Sequence, residues 1–185
     1  MLKNREKIVF AELLVSGRKP DKHIAQARKI SQPTVTRIRQ KLEREKYIES
    51  YHATPSFDKL GLKLVVVTTF TWNDYSKREV VGRVIQDMTS NPKILFCARG
   101  NGFSGKTAVM ITLHEDMASY ETFIVSFKEK WGKYMDNVDQ FISSTQNIFK
   151  PFEHHHAILE MLGVDVKKNS TLPAFSRRTN NTKRK

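Results

Sequence analysis

The sequence predicts an α+β protein with an N-terminal helix-turn-helix domain of the winged type and a C-terminal ferredoxin-like domain of βαββαβ order. Two observations support this prediction. Apolar residues recur at helical spacing up to residue 45, and strand patterns alternate with helical patterns between residues 62 and 149. The predicted segments are a helix-turn-helix domain (1–55), a linker (56–62), a ferredoxin-like domain (63–150), a short helix (151–162) and a basic disordered tail (163–185).

Three helices are predicted in the first domain. The first covers residues 4–16 and ends at Gly17. Asp21 is the predicted N-cap of a second helix that ends near Lys29, and Ser31 is the predicted N-cap of a third helix. The third helix extends from Gln32 to Glu45 with Pro33 in its first turn. Its buried residues are Val35, Ile38 and Leu42. The strand-like segment 47–53 follows it and is expected to form a hairpin.

Four strands and two helices are predicted in the second domain. Ser76 and Glu79 form a capping box that opens its first helix, and Asn91-Pro92 ends that helix. Glu115 or Asp116 starts the second helix. The four strands are Leu62–Trp72, Ile94–Arg99, Thr107–His114 and Val138–Phe149.

Positive charge is concentrated at the two ends of the chain. The 185 residues contain 32 Lys and Arg against 19 Asp and Glu, which gives a net charge of +13. Residues 1–50 carry +7 and residues 163–185 carry +6, whereas residues 51–162 are neutral overall. This segregation predicts that the ends contact a polyanion, and it favours nucleic acid over a membrane surface.

Several protein classes are excluded by what the sequence lacks. No apolar run approaches the roughly 18 residues that a membrane span requires. The first apolar run is interrupted by Glu12 and has no small-residue cleavage site, so no secretory signal is expected. Cys97 is the single cysteine, which excludes an internal disulfide and a cysteine-based zinc finger. We therefore expect a cytoplasmic, nucleoid-associated protein without a cofactor.

The third predicted helix carries the strongest functional signal. Its polar face offers amides, hydroxyls and cations, which are the groups that bond base edges and phosphates. A helix of this width fits the major groove of B-DNA. The alternative is an ordinary solvated helix face. The predicted DNA-contacting residues are Ser31, Gln32, Thr34, Thr36, Arg37, Arg39, Gln40, Lys41 and Arg44.

A glycine-rich segment, Gly100–Thr107, matches the phosphate-loop pattern G-x-x-x-x-G-K-S/T. A phosphate loop needs a helix directly after its lysine, whereas Thr107–Leu113 is typical of a strand. Three interpretations stay open, namely a hairpin connection, a small-molecule pocket and the nucleotide site of an enzyme. The residues that would line such a pocket are Gly100, Asn101, Gly102, Ser104 and Lys106.

Three consecutive histidines, His154–His156, follow Glu153. Consecutive helical residues point about 100° apart, so the three imidazoles cannot all face one metal ion. A solvated surface is the favoured interpretation, and neither a metal site nor a catalytic set of residues is predicted. Cys97 lies in an apolar strand, which indicates a core position rather than a nucleophile.

Residues 18–62 resemble the DNA-binding domain of the Lrp/AsnC family of feast/famine transcription regulators, and the βαββαβ body resembles that family's effector and oligomerisation domain. The resemblance implies a regulator that is at least dimeric, with an effector pocket at the subunit interface near Gly100–Gly105 and assembly into higher oligomers. The matching positions are Gly17-Arg18, Ala25, Ser31, Pro33-Thr34-Val35, Arg37, Leu42, Ile48-Glu49, Tyr51 and Leu60-Gly61.

The sequence departs from that family's pattern in three places. The family usually has glycine at the turn before the recognition helix and at the end of that helix, where this chain has Lys29 and Lys46. If both keep a positive φ, each lysine costs about 1 kcal/mol relative to glycine. The loop Gly100–Thr107 contains Lys106 and no acidic residue, which favours a carboxylate or no ligand over a free amino acid. The basic tail is additional to the pattern.

Together these features predict a sequence-specific, homodimeric transcription regulator that binds double-stranded DNA and is not an enzyme. Arg37, Gln32 and Thr34 are expected nearest the bases, with Ser31 at a phosphate. Two alternatives remain: a general chromatin-type nucleic-acid-binding protein that uses charge alone, and a nucleotide-binding enzyme that uses Gly100–Thr107.

Overall fold

The computed structural model describes residues 2–164, which form two compact units. The helical unit contains residues 2–53 and 152–164, and the sheet unit contains residues 54–151. The tail predicted at 163–185 lies almost wholly outside the described residues. The elements are α1 (Asn4–Val15), α2 (Asp21–Arg28), α3 (Gln32–Arg44), β1 (Leu64–Trp72), α4 (Arg78–Ser90), β2 (Ile94–Arg99), β3 (Ala108–His114), α5 (Met117–Trp131), β4 (Met135–Ser144) and α6 (His155–Leu162).

The helical unit is built around one apolar cluster to which α1, α2 and α3 all contribute. The spacing of Val35, Ile38 and Leu42 puts them on one stripe of α3, and all three are buried, as predicted. Ile158 and Leu162 of α6 pack against the same cluster. The last described helix therefore completes the core of the N-terminal unit, which the sequence analysis did not foresee.

The sheet unit has the predicted βαββαβ order. Its four antiparallel strands lie in the order β2-β3-β1-β4, and α4 and α5 pack on one face. Alternation along β1 directs Val66 and Phe70 into that packed face, where they meet Val84 of α4 and Phe123 of α5. The predicted α+β class, helix-turn-helix followed by a ferredoxin-like domain, is confirmed.

Two predicted features of the first domain are wrong. No strand occurs before β1 in the described residues, so the expected hairpin at residues 47–53 is absent there. The segment is held by side chains instead, because Tyr51 donates a 2.8 Å hydrogen bond to Glu43 and its ring covers Gly17. The N-cap of α2 is Pro20, and Asp21 is already helical. Ser31 is the N-cap of α3, as predicted.

Several boundaries in the sheet unit differ from prediction, and strands β1 and β3 begin two residues and one residue later than expected, at Leu64 and Ala108. The expected capping box does not form, since the backbone N–H and hydroxyl of Ser76 both donate to Asp74 Oδ1, at 3.0 and 2.6 Å. Strand β4 runs from Met135 to Ser144 rather than from residue 138 to residue 149. A bulge with Asn137 at φ 51° lets the strand start earlier.

Both lysines at positions where glycine was expected adopt left-handed backbone conformations. Lys29 ends α2 with φ 52° and ψ 44°, and Lys46 follows α3 with φ 60°. A β-carbon is disfavoured in this region, so each position carries strain of about 1 kcal/mol. The side chains of both lysines are exposed.

We expect Lys29→Gly to raise the free energy of unfolding by about 0.5–1 kcal/mol, because glycine has no β-carbon to strain. Lys29→Ala is the matched control, since it removes the same charge and keeps the β-carbon. Chemical denaturation of the full chain measures both variants. Equal stabilisation by alanine and glycine would show that the charge, and not the backbone, was unfavourable.

Candidate nucleic-acid interface

The outward face of α3 presents a row of polar side chains. Because the buried residues recur on one side of the helix, Arg37, Gln40 and Arg44 fall on the other at spacings of three and four residues. All three are exposed, and within residues 2–164 their side chains form no hydrogen bond or ion pair. They are available to an external ligand.

The start of α3 is also exposed. Ser31 precedes the helix with extended backbone, and its hydroxyl lies 2.8 Å from that of Thr34. Gln32 is exposed in the first turn and Thr34 is half-buried. A helix N-terminus carries partial positive charge and unpaired N–H groups, which favour phosphate.

Asp21 binds two of the predicted DNA-contacting residues within the protein. Thr36 Oγ1 donates to Oδ2 at 2.7 Å, and Arg39 Nε donates to Oδ1 at 2.7 Å. Arg39 Nη2 also donates to the carbonyl of Lys19 at 2.7 Å. Burial lowers the pKa of Arg39, but the hydrogen bond and charge of Asp21 outweigh it and raise the pKa overall. Thr36 and Arg39 therefore fix α3 against α2.

Lys41 is likewise paired within the helical unit. Its Nζ donates to Glu6 Oε1 at 2.8 Å, while Glu6 Oε2 accepts from the backbone N–H of Lys3 at 2.8 Å. The hydrogen bond from Lys41 is the main reason that the pKa of Glu6 lies below its usual value. This pair ties α3 to α1.

A third carboxylate, Glu12, lies in the interior at 3% exposure. Lys19 Nζ and Arg28 Nε each donate to it at 2.5 Å. Burial raises the pKa of Glu12, but these two hydrogen bonds outweigh it and hold the pKa below its usual value. The sequence analysis missed Glu6, Glu12 and Asp21 as a group. The available signal was the presence of a few acidic residues in an N-terminal segment that is basic overall.

Backbone groups of the loop between β2 and β3 form hydrogen bonds with one another. The N–H of Gly100 donates to the carbonyl of Thr107 at 3.0 Å, and that of Gly102 donates to the carbonyl of Lys106 at 2.8 Å. Ser104 and Gly105 both have positive φ. Asn101 and Ser104 are exposed at this tight turn.

Lys106 points away from the loop and into the sheet. It is 8% exposed, donates to the backbone carbonyl of Asn137 and pairs with Asp139 Oδ2 at 2.8 Å. Strand β3 follows at Ala108. Converging N–H groups and a helix N-terminus, which a phosphate loop requires, are therefore not formed here. Asn137 and Asp139 are partners of Lys106 that the sequence analysis missed.

The sheet face opposite α4 and α5 carries an apolar row across all four strands. Val67 pairs with Ile111 and Phe141, and Ile111 pairs with Phe96, so the four side chains share one face. Phe96 and Phe141 are 45% and 69% exposed. At the tip of the β2–β3 loop, Phe103 is 96% exposed. Clustered exposed aromatics are typical of an interaction surface.

The fold of this chain is similar to that of solved transcriptional regulators, including a member of the AsnC family. An AsnC family regulator from Agrobacterium tumefaciens matches with a TM-score of 0.70 and 18% identity, over 82% of this chain and 95% of that one. A Neisseria meningitidis transcriptional regulator in complex with L-Met gives 0.69 and 14%, over 85% and 99%. LrpC from B. subtilis gives 0.63 and 22%, over 82% and 97%.

The similarity is one of fold and does not extend to close sequence identity. No protein-family model matches the chain, and no curated protein matches it. Among the described helices, none is both long and apolar enough to cross a membrane.

Proposed function

We propose that the protein is a transcription regulator that binds double-stranded DNA with α3 in the major groove. One observation carries the proposal. The helical unit pairs Arg39 and Lys41 internally but leaves Arg37 and Arg44 unpaired on one exposed stripe with Gln40. Arg and Gln at such positions are the residues that recognise guanine and adenine edges. Several solved structures with a similar fold are transcriptional regulators, which supports the same function.

In the proposed complex the predicted contact residues divide into two groups. Arg37, Gln40 and Arg44, with Gln32 and Thr34 from the first turn, face base edges and nearby phosphates, and Ser31 lies at a phosphate. The remaining residues, Thr36, Arg39 and Lys41, hold α3 in place.

We further propose that two copies pair through the open sheet face. A row of Phe96, Ile111, Val67 and Phe141 buried against its own copy would remove exposed aromatic surface from water. Two copies of α3 then meet half-sites about one helical turn apart, or multiples of it. Higher oligomers would use the remaining exposed phenylalanines.

A small-molecule effector would bind at the β2–β3 loop, next to the second copy. A neighbour of this fold was crystallised with L-Met. In this chain Gly100, Asn101, Gly102 and Ser104 are the accessible members of the predicted pocket, because Lys106 is buried and paired with Asp139. We propose a carboxylate ligand or none, and a protein that acts in the cytoplasm at the nucleoid and is not an enzyme.

Arg37→Ala is expected to weaken binding to the preferred DNA site by more than about 1 kcal/mol and to relax choice at one base position. Arg78→Ala, which removes an exposed arginine from the sheet unit, is the matched control and should change affinity little. Binding to a randomised DNA library measures both effects.

The same experiment separates the proposal from the alternatives. An equal loss on all sequences would move Arg37 to a phosphate contact and favour a chromatin-type protein that uses charge alone. Unchanged affinity would contradict the assignment of α3 as the recognition helix. Titration with Mg-ATP tests the nucleotide-binding alternative, for which we expect no binding.

A further inference from the structure

A carboxylate and two imidazoles converge at the start of α6. The possible ligand atoms of Glu153, His155 and His156 all lie within 4.8 Å of one another. His156 Nε2 is 3.7 Å from Glu153 Oε2, and the rings of His155 and His156 have centroids 4.1 Å apart. The structure thus brings together residues that the sequence analysis assigned to solvated surface.

The backbone explains why this set differs from the three histidines in the sequence. His154 is the N-cap of α6, so His155 and His156 are the first two helical residues, and Glu153 lies before the helix. Three consecutive helical imidazoles cannot converge, but the chain before the helix places the carboxylate of Glu153 near the ring of His156. His154 is outside the set.

We propose that Glu153, His155 and His156 bind a divalent first-row transition metal ion, with Zn²⁺ and Ni²⁺ as the best candidates. Imidazole and carboxylate are preferred ligands of these ions. Bond lengths near 2.1 Å place ligand atoms roughly 3.4 Å apart in a tetrahedral site. The 3.7 Å separation between His156 Nε2 and Glu153 Oε2 is close to this value, and the side chains of both residues are exposed.

The metal would act on the helical unit as a clamp. A helix of eight residues is marginal alone, and α6 is held by Ile158 and Leu162 against the core that supports α3. An ion that joins Glu153 to His156 fixes the first turn of α6. Metal binding therefore stabilises the packed state of α6, and at least one coordination position stays open to water or an external donor.

Calorimetric titration of the metal-free full chain with Zn²⁺ tests the site. We expect one ion per chain, with a dissociation constant in the micromolar range. His156→Ala and Glu153→Gln should each weaken binding by about tenfold or more. His154→Ala is the matched control, since it removes a neighbouring imidazole outside the set, and its affinity should stay within about twofold of the parent.

A structural readout distinguishes this site from casual surface binding. Zn²⁺ should slow amide hydrogen exchange in residues 156–162 of the parent and of His154→Ala, but not of the His155→Ala/His156→Ala double variant. Binding lost equally in His154→Ala and His156→Ala would overturn the proposed ligand set. Zn²⁺ binding without a change in exchange would overturn the clamp, and absence of binding would overturn the site itself.

Discussion

Phe141→Asp is expected to convert the protein to a monomer and to lower its affinity for a two-half-site DNA by about 100-fold or more. Phe141 is 69% exposed on the open sheet face, so the substitution leaves the core of the sheet unit intact. A carboxylate in the apolar row with Val67 and Ile111 cannot be buried against a second copy without a partner. Sedimentation and DNA-binding isotherms at fixed salt measure the two effects.

Val125→Asp provides the matched control for this experiment. Val125 lies on α5 and is 54% exposed, so the same type of charge enters an apolar position on an element that covers the other sheet face. We expect the Val125→Asp variant to stay dimeric. A dimeric Phe141→Asp variant would contradict the open sheet face as the interface, and a monomeric Val125→Asp variant would place the interface on the helices.

Glu12→Ala is expected to lower the free energy of unfolding of the helical unit by about 2–3 kcal/mol. The substitution removes an interior carboxylate and leaves the cations of Lys19 and Arg28 without that partner. The expected loss of stability is smaller than that for breaking a fully buried ion pair, because both cations retain partial access to solvent. Glu49→Ala, at an exposed position, is the control and should change stability little.

The same carboxylates make the free energy of unfolding depend on pH, and the direction follows from their pKa shifts. The pKa values of Glu6 and Glu12 are lowered in the folded protein. Their contribution to the free energy of unfolding is therefore complete at pH values above the usual glutamate pKa of about 4.5. It is lost as the pH falls through the lowered values. Denaturation at a series of acid pH values should therefore show a smaller acid loss in Glu12→Ala than in the parent. Equal slopes would contradict the interior ion pairs.

The fold was largely predictable because its signals are local. The spacing of Val35, Ile38 and Leu42 identified α3, and the alternation around Phe70 identified β1. The β4 boundaries were not predictable, because they depend on a bulge at Asn137 whose position follows from pairing with β1. Hydrogen bonds between distant residues leave no periodic trace in the sequence.

The sequence predicted the helix of the candidate site, but it did not predict which polar side chains of that helix stay exposed and which pair with carboxylates. Periodicity placed Arg37 and Arg39 together on a polar face, yet Arg39 is bound to Asp21, which lies 18 residues earlier. Likewise Lys41 is bound to Glu6, 35 residues earlier. Whether a cation of α3 stays exposed or pairs with a carboxylate depends on tertiary contacts, which the sequence pattern does not contain.

The placement of α6 links the two units through chain entropy. When α6 packs against the apolar core of the helical unit, it closes a chain loop that contains the whole sheet unit, Thr54–Pro151. Closing a flexible loop of about 100 residues costs on the order of 4–5 kcal/mol. Once the sheet unit has folded, the separation of its two ends is fixed and most of that cost has been met. Unfolding of the sheet unit would restore that cost and would therefore weaken the docking of α6.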